Sequence, residues 1–178
     1  MTVLMATLTL LALSAAPDYQ KLADDAKWDW RDSDASVLYS MLNCNCDYQI
    51  ELIKRPKTRR YRGLTLRFTK DGKEAFVFEH IVEHTVFVVK DHILYYAEYN
   101  RISTGCNVVA VDLTNGKQLW KTGLKGLGPI NHSSYSNAVA LELVEGAVKV
   151  LGHESKGDYI EFVEMKEGKT VGNKVFKR

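Results

Sequence analysis

From Tyr48 onward the side chains alternate between apolar and polar with period two, and short Xaa-Gly pairs interrupt the alternation. No other feature constrains the fold as much. Successive side chains on a strand point to opposite faces, so such a pattern builds half-buried strands and cannot keep an apolar stripe on a helix. Tyr48, Ile50 and Leu52 share one face, with Gln49 and Glu51 on the other. Leu64, Leu66 and Phe68 alternate with Thr65, Arg67 and Thr69. A continuous β-rich run follows from Ala75 to Val89. Further strands are predicted at 93–99, 107–113, 117–121, 138–144, 147–152, 159–165 and 170–176. Asp71-Gly72, Asn115-Gly116, Glu145-Gly146 and Glu167-Gly168 stand between strands. Such pairs mark hairpins, because a primed turn takes positive φ at both central residues. The expected fold is therefore mainly β, an antiparallel meander over 48–178.

The hairpins repeat. Phe68-Thr-Lys-Asp-Gly-Lys, Asp112-Leu-Thr-Asn-Gly-Lys and Glu164-Met-Lys-Glu-Gly-Lys each carry a strand end, a polar turn and Gly-Lys. Their glycines, 72, 116 and 168, lie 44 and 52 residues apart. Periods of that size belong to propeller blades, each a small four-stranded sheet. A chain of 178 residues limits the idea. A closed propeller needs at least four blades of about 40 to 50 residues, and the strand-bearing part here makes two to three.

One copy carries a more specific pattern. Ala110, Asp112, Gly116, Lys117 and Trp120 fall in the order Ala-x-Asp-x-x-x-Gly-Lys-x-x-Trp. This resembles the tryptophan-docking motif of quinoprotein-like β-propellers, with Asn115 in place of the usual Thr. The matched region runs over about 85–123. In physical terms Asp112 closes a strand and offers its carboxylate to turn N–H groups. Gly116 takes the positive φ, and Trp120 returns on the next strand to pack between neighbouring blades. The resemblance implies a blade-type fold. It does not extend to the cofactor, since the family's quinone enzymes use adjacent cysteines, a stacking tryptophan and calcium-binding carboxylates. Cys44-Asn45-Cys46 is not an adjacent pair, so no cofactor is expected.

The first 16 residues contain no charged side chain. Val3 to Leu13 is apolar apart from two threonines, too short for a membrane span of about 20 residues. Ala12, Ser14, Ala15 and Ala16 follow, as at a secretory cleavage site. Residues 1–14 are therefore expected to be a signal peptide cut after Ser14, placing the protein outside the cell or in the periplasm with no transmembrane anchor left. No Lys or Arg precedes the apolar run, and a buried N-terminal helix or strand is the alternative. Residues 15–47 form an acidic segment with six aspartates between 18 and 34. Val37, Leu38, Met41 and Leu42 predict a short helix from Asp34, capped by Ser33 or Asp34.

Three groups of residues could carry chemistry or binding. His80, Glu83 and His84 match H-x-x-E-H, in which a helix presents both histidines to one zinc ion and the glutamate serves as base. The flanking residues are β-branched, and on a strand the two histidines stand about 13 Å apart, too far to chelate. Lys54, Arg55, Lys57, Arg59, Arg60 and Arg62 put six cations in nine residues. They are either a solvated hairpin tip or a contact for an anionic surface. Cys44, Cys46 and Cys106 allow one disulfide if the chain is exported and show no redox motif. Asn131 to Asn137, with His132 among serines, lacks a nucleophile elbow and reads as a connecting loop.

Net charge is only +2, from 24 Lys+Arg against 22 Asp+Glu, which gives no general attraction to nucleic acid, and export would place nucleic acid last among partners. The expectation is an exported, non-enzymatic interaction or ligand-binding module. Its surfaces would be the connections at 54–62, 100–106 and 126–137, its partner a protein or an anionic polymer, and its incomplete blades open to oligomerisation. A small metal-dependent hydrolase using His80, Glu83 and His84 is the alternative.

Overall fold

A computed structural model describes residues 16–26, 47–54, 64–81, 87–99, 106–125, 138–154 and 157–177. Among them are one helix, α1 (Tyr19–Asp25), and eleven strands in three antiparallel sheets. Sheet 1 contains β1 (Gln49–Lys54), β2 (Leu64–Lys70) and β3 (Lys73–Ile81). Sheet 2 contains β4 (Phe87–Lys90), β5 (Ile93–Tyr99), β6 (Cys106–Asp112) and β7 (Lys117–Gly123). Sheet 3 contains β8 (Ala138–Val144), β9 (Ala147–Glu154), β10 (Gly157–Glu164) and β11 (Thr170–Lys177). Every strand pairs with its sequence neighbour inside its own sheet, so each sheet is an up-and-down meander and no barrel closes.

The period-two pattern decides how the sheets stack. Sheet 2 is apolar on both faces. Leu94, Tyr96, Val109 and Val111 pack with Leu66 and Phe68 of sheet 1. Their neighbours Tyr95, Ala97, Val108 and Ala110 pack with Val148, Val150, Tyr159 and Val163 of sheet 3. Alternation therefore sends consecutive side chains into two different cores. A central sheet buried on both sides accounts for the run Asn107-Val-Val-Ala-Val111, which is nearly continuous in apolar residues. Each large aliphatic side chain fully buried this way contributes about 1.5–3 kcal/mol.

The two ends of the stack are finished differently. The outer face of sheet 1 is polar, where Arg67 on β2 pairs with Glu51 on β1 at 3.2 Å and with Glu74 on β3 at 3.4 Å. The outer face of sheet 3 carries an apolar patch that lies under α1, beside the Lys149–Glu142 ion pair at 2.8 Å. Tyr19 and Ala23 cover Ala147, Leu151, Ile160 and Phe162. The order in space is thus sheet 1, sheet 2, sheet 3, α1, although α1 comes first in sequence.

Several expectations change in detail. The run Ala75–Val89 is not one strand: β3 ends sheet 1 at Ile81 and β4 opens sheet 2 at Phe87. Periodicity cannot show this division, because both parts alternate in the same way. Only Asp71-Gly72 has positive φ at both turn residues, 52° and 71°. Gly116, Gly146 and Gly168 adopt φ of 69°, 72° and 71° after residues that do not. The helix α1 lies in the acidic stretch, capped by the Asp18 side chain, which accepts from the Lys21 N–H at 3.0 Å. The helix expected from Asp34 lies outside the described residues.

Candidate functional site

Antiparallel meanders place alternate connections at opposite ends of each sheet. At one end stand five short connections: 71–72, 91–92, 113–116, 145–146 and 165–169. The turns of one sheet touch each other there. Within sheet 2 the Leu113 N–H donates to the His92 carbonyl, and within sheet 3 the Met165 N–H donates to the Gly146 carbonyl. At the other end stand the strand termini that flank 55–63, 82–86, 100–105, 126–137 and 155–156.

The short-turn end is where Ala110, Asp112, Gly116, Lys117 and Trp120 come together. Asp112 ends β6 and turns its carboxylate into the loop. One oxygen accepts from the Thr114 N–H at 2.8 Å and from its hydroxyl at 2.6 Å, and the other accepts from the Asn115 amide at 2.8 Å. An Asp that satisfies its own turn in this way fixes the loop backbone. The Thr114 hydroxyl, followed by the Thr114 N–H, holds the Asp112 carboxyl below its usual range. Asn115 accepts in turn from the Lys117 N–H at 2.8 Å, and the Gly116 N–H donates to the Asp112 carbonyl at 2.8 Å. The sheet 3 turn repeats this frame. The Gly168 N–H donates to the Glu164 carbonyl at 2.9 Å, and the Glu164 carboxylate accepts from the Glu167 N–H at 2.8 Å.

Trp120 lies four residues past Gly116, on β7, and its ring rests on the sheet 3 turn. Its indole N–H donates to the Met165 carbonyl at 2.8 Å, and a Cβ on Gly168 would stand 2.6 Å from the ring. The Thr122 hydroxyl donates to the Gly168 carbonyl. Tyr95 flanks the indole at 5.8 Å. Burial, with added repulsion from Asp91 and Glu164, pushes the Tyr95 hydroxyl pKa up. Sheet 1 meets sheet 2 by a simpler version of the same contact. Phe76, four residues past Gly72, lies 3.5 Å from where a Gly116 Cβ would be. Phe76 was not among the residues singled out from sequence, although its offset from Gly72 equals that of Trp120 from Gly116.

A further polar anchor also escaped sequence reading. Glu161, on β10, is fully buried between sheets 2 and 3. Its carboxylate accepts from the Lys125 N–H at 2.9 Å and from the Thr170 hydroxyl at 2.8 Å. It ties the chain leaving β7 to β10 and β11. No motif surrounds it, and on a strand its position looks like an ordinary polar alternate.

Of the remaining sequence candidates, Lys54, His80 and Cys106 lie at or near strand ends on the opposite side of the stack. Lys54 is the last residue of β1; Arg55, Lys57, Arg59, Arg60 and Arg62 lie outside the described residues. His80 sits in β3, an extended strand and not a helix, whereas Glu83 and His84 lie outside the described residues. Cys106 opens β6; Cys44 and Cys46 are outside, as is the segment 1–14. Among the described residues, no three or more His, Cys, Asp and Glu side chains are grouped to hold a metal ion. Among them too, no helix is long and apolar enough to cross a membrane.

No protein-family model matches the chain, and no curated protein matches it. Among solved structures, it is similar to the Bacillus megaterium YpeB C-terminal domain at 13% identity. That match covers 80% of this chain and 95% of the other, with a TM-score of 0.19. Superposition at that level carries no argument about fold or activity.

Proposed function

We propose that this chain is an exported, non-enzymatic interaction module, a short stack of quinoprotein-like blades. It would engage an anionic polymer or an acidic protein surface through the end of the stack that bears the long connections. The observation carrying this reading is the sorting of connections by topology. Of the five compact turns, 113–116 and 165–169 receive Phe76 and Trp120 from the neighbouring sheet. The termini of β1 and β2, which flank the six cations of 54–62, share the opposite end with the termini flanking 100–105 and 126–137. Charge concentrated in one connection attracts polyanions even when the whole chain is near neutral. The polar groups of the compact end support a scaffold role, because Asp112, Asn115 and Trp120 already have internal partners.

Retention of the purified protein on a dextran sulfate matrix tests this reading. Replacing Arg59, Arg60 and Arg62 with glutamine should shift elution to much lower salt, because each lost contact reduces the salt dependence. Elution at an unchanged salt concentration would contradict the reading. Intact mass of the protein from its native source tests export: a chain beginning at Ala15 is expected, and an unprocessed Met1 would overturn it.

A further inference from the structure

Asn115-Gly116 is the single Asn-Gly step of the chain, and residues 114–117 around it are exposed to water. Glycine places no side chain beside its own backbone nitrogen, so that nitrogen reaches a preceding asparagine side chain more easily than any other residue's would. The reaction open to such a step begins when hydroxide takes the proton of the Gly116 N–H. The nitrogen then bonds to Cγ of Asn115, and the bond from Cγ to the amide nitrogen breaks. The departing nitrogen takes a proton from water and leaves as ammonia. Water opens the resulting cyclic imide at either carbonyl, giving aspartate or isoaspartate. In sum one water is consumed and one ammonia released, with no oxidant or cofactor.

The folded turn engages each group that this reaction must move. The Gly116 N–H donates to the Asp112 carbonyl at 2.8 Å, so the attacking nitrogen is already committed. The amide nitrogen that would leave donates to the Asp112 carboxylate at 2.8 Å. The Asn115 side-chain oxygen accepts from the Lys117 N–H at 2.8 Å. Any rotation of the Asn115 side chain breaks these last two bonds. The Asp112 carboxylate is itself fixed by the N–H and the hydroxyl of Thr114, so it does not follow the amide as it moves.

We propose that Asn115 is a latent deamidation site, kept closed in the folded chain by the Asp112 carboxylate. One side chain thus has two tasks: it shapes the turn, and it restrains the amide that would leave. Once the turn opens, no side chain at position 116 slows the ring closure. Either product replaces the amide that donates to Asp112 with a second carboxylate. Isoaspartate also adds one carbon to the backbone of the turn that receives Phe76. Chemical ageing at this step therefore acts on the seam between sheets 1 and 2.

Peptide mapping by mass spectrometry, after incubation of the full chain at mildly alkaline pH, reads the conversion of Asn115. It should be slow in folded wild type and faster in guanidinium chloride by about tenfold or more, the factor expected when a hydrogen bond to a charged group is lost. Asp112→Ala should bring the folded rate toward the denatured one, with native Trp120 fluorescence showing that sheets 2 and 3 remain docked. If that variant loses the signal, Asp112→Asn, which keeps the shape of the side chain and removes its charge, reads the same outcome. No conversion in denaturant would overturn Asn115 as the site. Equal rates in folded and denatured wild type would overturn its protection. A folded Asp112 variant that converts as slowly as wild type would overturn the carboxylate as the group that closes it.

Discussion

The two seams of the stack use the same offset and differ in chemistry. Between sheets 1 and 2 a phenylalanine touches Gly116 across an ordinary van der Waals gap, where a Cβ would still find 3.5 Å. Between sheets 2 and 3 an indole presses on Gly168, where a Cβ would find only 2.6 Å, and donates to the Met165 carbonyl. The first seam is held by a broad apolar core in which Phe68 meets Phe76 at 6.4 Å and Phe87 at 5.7 Å. The second adds directed bonds from Trp120 and Thr122 and the buried Glu161 carboxylate. At the second seam, hydrogen bonds at the rim fix how the two sheets are aligned.

That contrast can be broken most severely at Trp120. Trp120→Ala leaves a gap and a Met165 carbonyl without its donor, and should cost about 3 kcal/mol in urea unfolding, the lower end for a large aromatic because the ring is half-buried. The glycines come next. Gly116→Ala and Gly168→Ala both force a side chain into the left-handed region, at about 1–2 kcal/mol each. Only at Gly168 does the new methyl group collide with a ring, so Gly168→Ala should be the more destabilising of the two.

The smallest expected effect is electrostatic. The Asp112 carboxyl is held below its ordinary value near 3.8 in the folded chain. Its contribution is therefore complete above that value and is lost as pH falls through the lower folded-state value. Thermal unfolding of wild type and Asp112→Ala should differ at neutral pH, and the gap should close as pH drops below the carboxylate range. A gap that persists in acid would mean that the carboxylate charge is not what holds the turn.

Much of this architecture was legible in the residues. Period two gave the strands, and the glycines at 72, 116, 146 and 168 gave the turns, because both signals arise from local sterics. The division of 75–89 between two sheets was not legible, since both strands alternate alike and only pairing partners distinguish them. Helix α1 was hidden for a related reason. Its buried face is Tyr19 and Ala23, a stripe too small to stand out among aspartates, and its support comes from β11, about 150 residues away in sequence. The Asp112–Trp120 motif announced its turn and docking ring. Phe76, at the same offset in the first repeat, carries no signature until the neighbour it touches is known. The basic segment was visible as charge alone, and its sequence does not say what it binds.

Successive sheets are locked where the residue four places past Gly72 or Gly116 presses on a turn glycine of the next sheet, Gly116 or Gly168. A double-mutant cycle on Trp120 and Gly168, read by urea unfolding, tests it most directly. With Trp120 present, Gly168→Ala should cost clearly more than Gly116→Ala. In the Trp120→Ala background its cost should fall to that of the backbone conformation alone, about 1–2 kcal/mol. An equal cost for Gly168→Ala in both backgrounds would show that the ring and the turn do not act on each other, and would contradict the account.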